Sequence, residues 1–179
     1  MEPKTNFSMI DIFIFDIDGC IMPDIFPNIK EIQIDSKIAD HDYKKKASVV
    51  SLFPEFIEFY KKNCTNSLAV YFLTGRKQKY YGRITQSQLK PLKIYKRYSI
   101  KHFPDNKPHV PDEYFHWKAK NIKVIINQWG YDSIRYHIYD DVEDLFPIIS
   151  KEILPIFKNY NYNLIQEQDD WIHNTNIES

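Results

Sequence analysis

The chain has 179 residues, 43% of them apolar and 16% aromatic, and its 24 Lys+Arg balance 24 Asp+Glu. That composition supplies one ordinary core and excludes a disordered chain, while a zero net charge excludes a global basic field that would hold nucleic acid non-specifically and leaves a local patch open. Cys20 and Cys64 form neither a disulfide framework nor a zinc-ligand spacing, no apolar run is long enough to span a bilayer, and residues 1–8 lack the apolar centre of a signal peptide, so a cytoplasmic protein with no membrane partner is expected.

In chain order, the apolar run from Ile10 to Asp16 predicts a strand buried on both faces, as in a parallel sheet. Residues 21–50 read as irregular, with Pro23 and Pro27 against an early helix. Leu52, Phe53, Phe56, Ile57 and Tyr60 recur at helical spacing and predict an amphipathic helix over 52–63. Leu68–Leu73 is a second buried strand. Thr74-Gly75-Arg76 follows it and opens a helix running from about Lys77 to Leu89, which Pro91 stops. A third strand is placed at Lys93–Tyr98 and a loop at 101–111. The next helix begins at Pro111 or Asp112 and ends at Trp129 before Gly130. Ile134–Tyr139 is a strand ending in Asp140-Asp141, Val142–Ser150 a helix, and Tyr162–Ile165 a last strand. Strands alternating with helices define an α/β chain with a mostly parallel sheet between two helical layers. Residues 1–179 read as a single domain, and the tail from 159 to 179 has no clear role: either Trp171 docks it or it is loose.

The chemistry gathers at strand ends. Asp16 and Asp18 lie one residue apart before Gly19, and share a side if strand geometry persists. Two such carboxylates repel unless a cation, a proton or a donor intervenes, which points to a magnesium site or an acid/base pair. A hydroxyl and backbone N–H groups at a helix start, here Thr74 and Gly75, make an anion site. Parallel strands bring these ends and Asp140-Asp141 to one sheet edge. Arg76 has two readings: a planar fork for substrate phosphate, or a brace on a carboxylate at the helix start. The six histidines show no metal-ligand spacing.

Phe15-Asp16-Ile17-Asp18-Gly19, Leu73-Thr74-Gly75-Arg76, a following lysine and Tyr139-Asp140-Asp141, in this order, resemble the haloacid dehalogenase-like (HAD) phosphohydrolases over residues 10–150. The resemblance implies a three-layer Rossmann-like fold. It also implies a Mg²⁺-dependent phosphatase working through an aspartyl-phosphate. Asp16 would be the nucleophile and Asp18 the acid and base. Asp16, the Asp18 carbonyl and Asp140 would hold Mg²⁺, with Asp141 beside them or Asp144 in its place. Thr74 and Gly75 would contact the phosphoryl group. Lys118 would supply the balancing cation, in competition with Lys107, Lys120 and Lys123. Tyr139 before the acidic pair, where many relatives have glycine, favours the Asp-Asp subtype.

Residues 21–51 leave room for a flap or small cap, so a minimal or absent cap and an open site are expected. The substrate would then be a phosphorylated small molecule, such as a nucleotide or sugar phosphate, or a nucleic-acid end. The Thr-Gly-Arg form is similar to polynucleotide-phosphatase and RNA-repair-like HAD domains. The Lys- and Tyr-rich stretch from Lys90 to Lys107 suits a nucleic-acid strand. The alternative is a catalytically silent HAD-fold phosphate-binding or interaction module. A nucleotide-binding domain of another kind is disfavoured, because no Gly-x-Gly-x-x-Gly or Walker lysine loop is present.

Overall fold

The computed structural model describes residues 9–24, 44–108, 110–130, 132–153 and 160–174. Most of the expected flap or cap, 25–43, lies outside the described residues. The five strands are β1 (Ile10–Phe15), β2 (Ala69–Lys77), β3 (Ser99–Phe103), β4 (Ile134–Asp140) and β5 (Tyr160–Leu164). They form one sheet in the order β3-β2-β1-β4-β5, and every pairing is parallel. The chain builds outward from β1 through β2 to β3, then returns to place β4 on the other side of β1. That reversal creates a crevice beyond the C-terminal ends of β1 and β4, where open α/β sheets bind ligands.

Side-chain alternation along β1 sorts the core. Phe13 and Phe15 face one way, into a cluster with Phe56, Phe59 and Trp171. Ile12 and Ile14 face the other way, toward Ala119, Ile122, Ile138, Leu145 and Ile149. The first layer is built by α1 (Pro54–Phe59, continued by a π-helical turn through Cys64) and the short α5 (Asp170–His173). The second is built by α3 (Pro111–Trp129) and α4 (Leu145–Ile153); α2 (Gln78–Leu89) follows β2. Proline at its first turn, Asp112 and Glu113 start α3, and Gly130 ends it at φ 90° with its N–H donated to the Ile126 carbonyl. No helix among the described residues is long and apolar enough to cross a membrane.

Two expectations are corrected. The strand placed at Lys93–Tyr98 is instead a 3-10 turn over Lys90–Ile94, and the strand begins at Ser99 and runs into the expected loop as far as Phe103. Leu92 is buried and Ile94 exposed, so the apolar residues of this stretch anchor a turn rather than alternate along a sheet. Second, β2 does not stop at Leu73. It runs to Lys77, which pairs with Phe103 after a register shift beyond Thr74. Of the two readings of the tail, docked by Trp171 or loose, the described residues 160–174 realise the first. Trp171 is fully buried, its Nε1 donates to the Cys20 carbonyl at 2.8 Å, and its ring packs on Phe56 at 4.8 Å and Phe59 at 4.9 Å.

Candidate active site

Asp16 is the first residue past β1. Its N–H donates to the Tyr139 carbonyl at 2.9 Å, and the Phe15–Tyr139 register sets Asp16 beside Asp140 at the end of β4. Asp16 continues the Ile12–Ile14 alternation and so faces α3. Lys118 lies on that helix with only 1% exposure. Its Nζ donates to Asp16 Oδ1 at 2.8 Å and to Asp140 Oδ2 at 2.5 Å. One helical turn earlier, Tyr114 donates its hydroxyl to the same Asp16 oxygen at 3.2 Å. The competing lysines lie elsewhere: Lys120 and Lys107 are exposed, and Lys123 pairs with Glu152 at 3.6 Å.

Oxygen atoms of Asp16, Asp140 and Asp141 all lie within 4.8 Å of one another. Asp144 is exposed and is not among them. Gly19 makes the approach of Asp141 possible. It adopts φ +79°, and a Cβ there would collide with the Asp141 carboxylate. Burial would by itself weaken the Lys118 cation, but Asp140 and Asp16 outweigh it and hold its pKa well above the ordinary lysine value. One permanent cation thus faces three carboxylates. Burial, then the neighbouring Asp16 and Asp140, push Asp141 up to about 8. Burial likewise raises Asp140 to about 6 against the pull of Lys118. An oxygen-only donor set carrying more negative charge than its one lysine can balance fits a hard divalent cation such as Mg²⁺.

Asp18 serves a different partner. The turn after Asp16 carries it to Arg76, whose Nε donates to Oδ2 at 2.8 Å and Nη2 to Oδ1 at 2.6 Å. Nη2 also meets Met22 Sδ at 3.3 Å, and Nη1 donates to Thr85 Oγ1 at 3.1 Å and Gln88 Oε1 at 2.6 Å. A guanidinium has five N–H groups, and these five contacts use them. Of the two readings of Arg76, the geometry realises the brace and leaves no donor for phosphate. Burial raises Asp18 to about 6, opposed by Arg76.

Thr74 is buried, and its Oγ1 accepts the Arg76 N–H at 3.1 Å. Thr74, Gly75 and Arg76 sit on the irregular end of β2, and α2 starts only at Gln78. Pairing to β3 prolongs the strand, so Thr74 and Gly75 lie on its end rather than at the helix start. His102 on β3 holds this end in place, with Nδ1 2.9 Å from the Arg76 carbonyl. Cys20 is a core residue whose thiol burial pushes up.

Tyr114, Thr85 and Gln88 were not singled out from sequence. Tyr114 precedes Lys118 by four residues on one helix, a spacing that puts both on one face. Gln88 has a second contact: its Nε2 donates to the carbonyls of Ala47 at 2.7 Å and Val50 at 2.8 Å. It thereby ties the stretch 44–50 to Arg76.

The parallel sheet of this order has the HAD-like α/β fold. The solved HAD domain of effector protein Lem4 from Legionella pneumophila matches it at TM-score 0.52 and 12% identity, covering 94% of this chain and 93% of that one. A chain of the Pnkp1/Rnl/Hen1 RNA repair complex matches at TM-score 0.51 and 15% identity over 91% of this chain, which spans about half (48%) of that chain. At such identities the likeness is one of fold. No protein-family model and no curated sequence matches the chain.

Proposed function

We propose that this chain is a Mg²⁺-dependent phosphomonoesterase. The observation that carries the reading is Asp16, a buried carboxylate set between a permanent cation, Lys118, and two further carboxylates within 4.8 Å. Asp16 attacks phosphorus and forms an aspartyl-phosphate as the ester oxygen leaves. Asp18 gives that oxygen a proton, then takes one from the water that releases phosphate. Lys118 and the Tyr114 hydroxyl hold the attacking carboxylate in one orientation and offset charge around it. Thr74 and Gly75 line the phosphoryl side. Asp16, the Asp18 carbonyl, Asp140 and Asp141 would hold Mg²⁺, which when bound supplies Lewis-acid charge to the phosphoryl oxygens.

A catalytically silent binding module keeps the same fold, and the Lem4 match extends to almost the whole of both chains without deciding between them. The deciding experiment is hydrolysis of an aryl phosphate and a panel of phosphate esters with Mg²⁺ and with EDTA, beside Asp16→Asn. Magnesium-dependent turnover lost in the variant is expected. Magnesium binding without turnover on any ester would favour the silent module.

A further inference from the structure

The protein is neutral, but its charge is not evenly spread. From Lys77 to Lys107 the chain carries nine Lys and Arg and one acid, Asp105. This stretch comprises the end of β2, α2, the 3-10 turn and β3, the outermost strand on its side of the sheet. The basic residues are therefore gathered at one edge of the molecule. Lys79, Arg83, Lys90, Lys93 and Arg97 are exposed. Among the described residues, Arg83, Lys90, Arg97 and Lys101 have no carboxylate within ion-pair distance. Tyrosines are interleaved with them: Tyr80 lies under the ammonium groups of Lys79 and Lys44, and Tyr98 under Lys93.

This edge leads into the site. Thr74 pairs with His102 in the sheet, Leu73 with Lys101 and Lys77 with Phe103. The C-terminal end of β3 thus lies beside Thr74-Gly75-Arg76. A membrane surface is a poor match, because Ile94 is the one large apolar side chain exposed along the described part of 77–107. A single strand of phosphates is a good one, since it meets Arg83, Lys90, Arg97 and Lys101 with the half-buried Tyr80 and Tyr98 rings among them.

We propose that the α2–β3 edge is a track for a single-stranded polynucleotide whose terminal phosphate enters the Asp16 site. The track rests on the phosphatase reading for its purpose but not for its binding.

The test is fluorescence anisotropy of short single-stranded RNA and DNA, ending in phosphate or hydroxyl, with the full chain in EDTA so that no turnover is required. Binding should weaken steeply with salt, each phosphate contact contributing about −0.7 to the slope of log K against log salt. The triple change Arg83→Glu, Lys90→Glu, Arg97→Glu should weaken binding at least about tenfold and flatten that slope by about 2. The same charge change placed elsewhere, Lys61→Glu, Lys120→Glu, Lys151→Glu, should do far less. RNA held more tightly than DNA, or the reverse, identifies the natural strand. Equal loss in both triples overturns the track, as does binding to phosphatidylserine vesicles without binding to oligonucleotides. A wild-type slope shallower than about −2 overturns it without any variant. Oligonucleotide binding with no ester hydrolysis keeps the track and removes the phosphatase reading; hydrolysis without binding removes the track alone.

Discussion

Arg76 and Asp18 meet fork to fork, with two hydrogen bonds of 2.8 and 2.6 Å between residues 58 apart in sequence. Such a pair fixes the plane of the carboxylate as well as its position. The arginine is 1% exposed, and no point charge can reproduce its five contacts. Arg76→Lys should therefore leave Asp18 misaimed. If Asp18 protonates the leaving group, hydrolysis of an alkyl phosphate should fall by about 10²–10⁴, and that of an aryl phosphate, whose oxygen leaves without help, far less. Equal losses on both esters would mean that Arg76 does not act through Asp18. Arg76→Ala should instead cost about 3–5 kcal/mol in urea unfolding, the penalty for breaking a buried pair.

Gln88 offers one oxygen to Arg76 and its nitrogen to the backbone at Ala47 and Val50. Two variants separate these bonds. Gln88→Leu removes both, and should speed amide exchange over 44–50 and slow alkyl more than aryl ester hydrolysis. Gln88→Glu keeps an acceptor for Arg76 but turns a carboxylate toward two carbonyls. It should loosen 44–50 by the same exchange measurement while preserving the ratio of alkyl to aryl rates.

These contacts mark the limit of what the residue order reveals. The apolar run of β1 was legible as a strand buried on both faces, the strand before Asp140-Asp141 was placed as well, and the parallel sheet brings Asp16, Asp140 and Asp141 together as expected. Lys118 was legible as a candidate because it lies on the helix before β4, and it is Lys118, not Lys107, Lys120 or Lys123, that is buried against Asp16. The partner of Arg76 was not legible, because the side chain's direction depends on β2 extending past Thr74, and that extension is decided by pairing with β3. The position of β3 was missed for the same reason: Ser99–Phe103 mixes polar and apolar residues, and an edge strand's pattern is set by its neighbour as much as by its own sequence.

Trp171 joins the C-terminal segment to the site's own loop. Its ring lies against Phe56, Phe59 and Tyr139, and its N–H reaches the carbonyl of Cys20, four residues after Asp16. Trp171→Ala should cost about 3–5 kcal/mol, read from the urea midpoint. Trp171→Phe retains the aromatic contact but leaves the Cys20 carbonyl without its donor, and should cost about 1–3 kcal/mol.

Asp11, at the far end of β1, accepts hydrogen bonds from Arg135 Nε and His137 Nε2, both at 2.7 Å. Burial would raise its pKa, but His137 and Arg135 outweigh that and lower it to about 2 from 3.8. A depressed carboxylate stabilises the fold fully above its unfolded value and loses that contribution as pH falls through its folded value. The stability difference between wild type and Asp11→Asn should therefore be level above pH about 4 and close as pH drops toward about 2. Urea unfolding of both proteins across that window reads the difference directly, and a gap that widens toward low pH would contradict the assignment.

The last prediction separates holding a cation from doing chemistry with it. Asp16, Asp140 and Asp141 converge within 4.8 Å, and among the described residues Lys118 alone offsets them. A ligand that binds the folded state alone stabilises it by about 2.7 kcal/mol at a hundred times its dissociation constant. Mg²⁺ should accordingly raise the wild-type melting temperature and EDTA reverse the rise, whereas Asp140→Asn should abolish most of the response. Lys118→Met removes the competing cation from between Asp16 and Asp140. It should bind Mg²⁺ at least as tightly as wild type, shown by an equal or larger thermal shift, yet hydrolyse esters slowly because Asp16 has lost the ammonium that orients it. A Lys118→Met protein that loses Mg²⁺ binding and turnover together would show that Lys118 builds the cation site, and would remove its separate role beside the nucleophile.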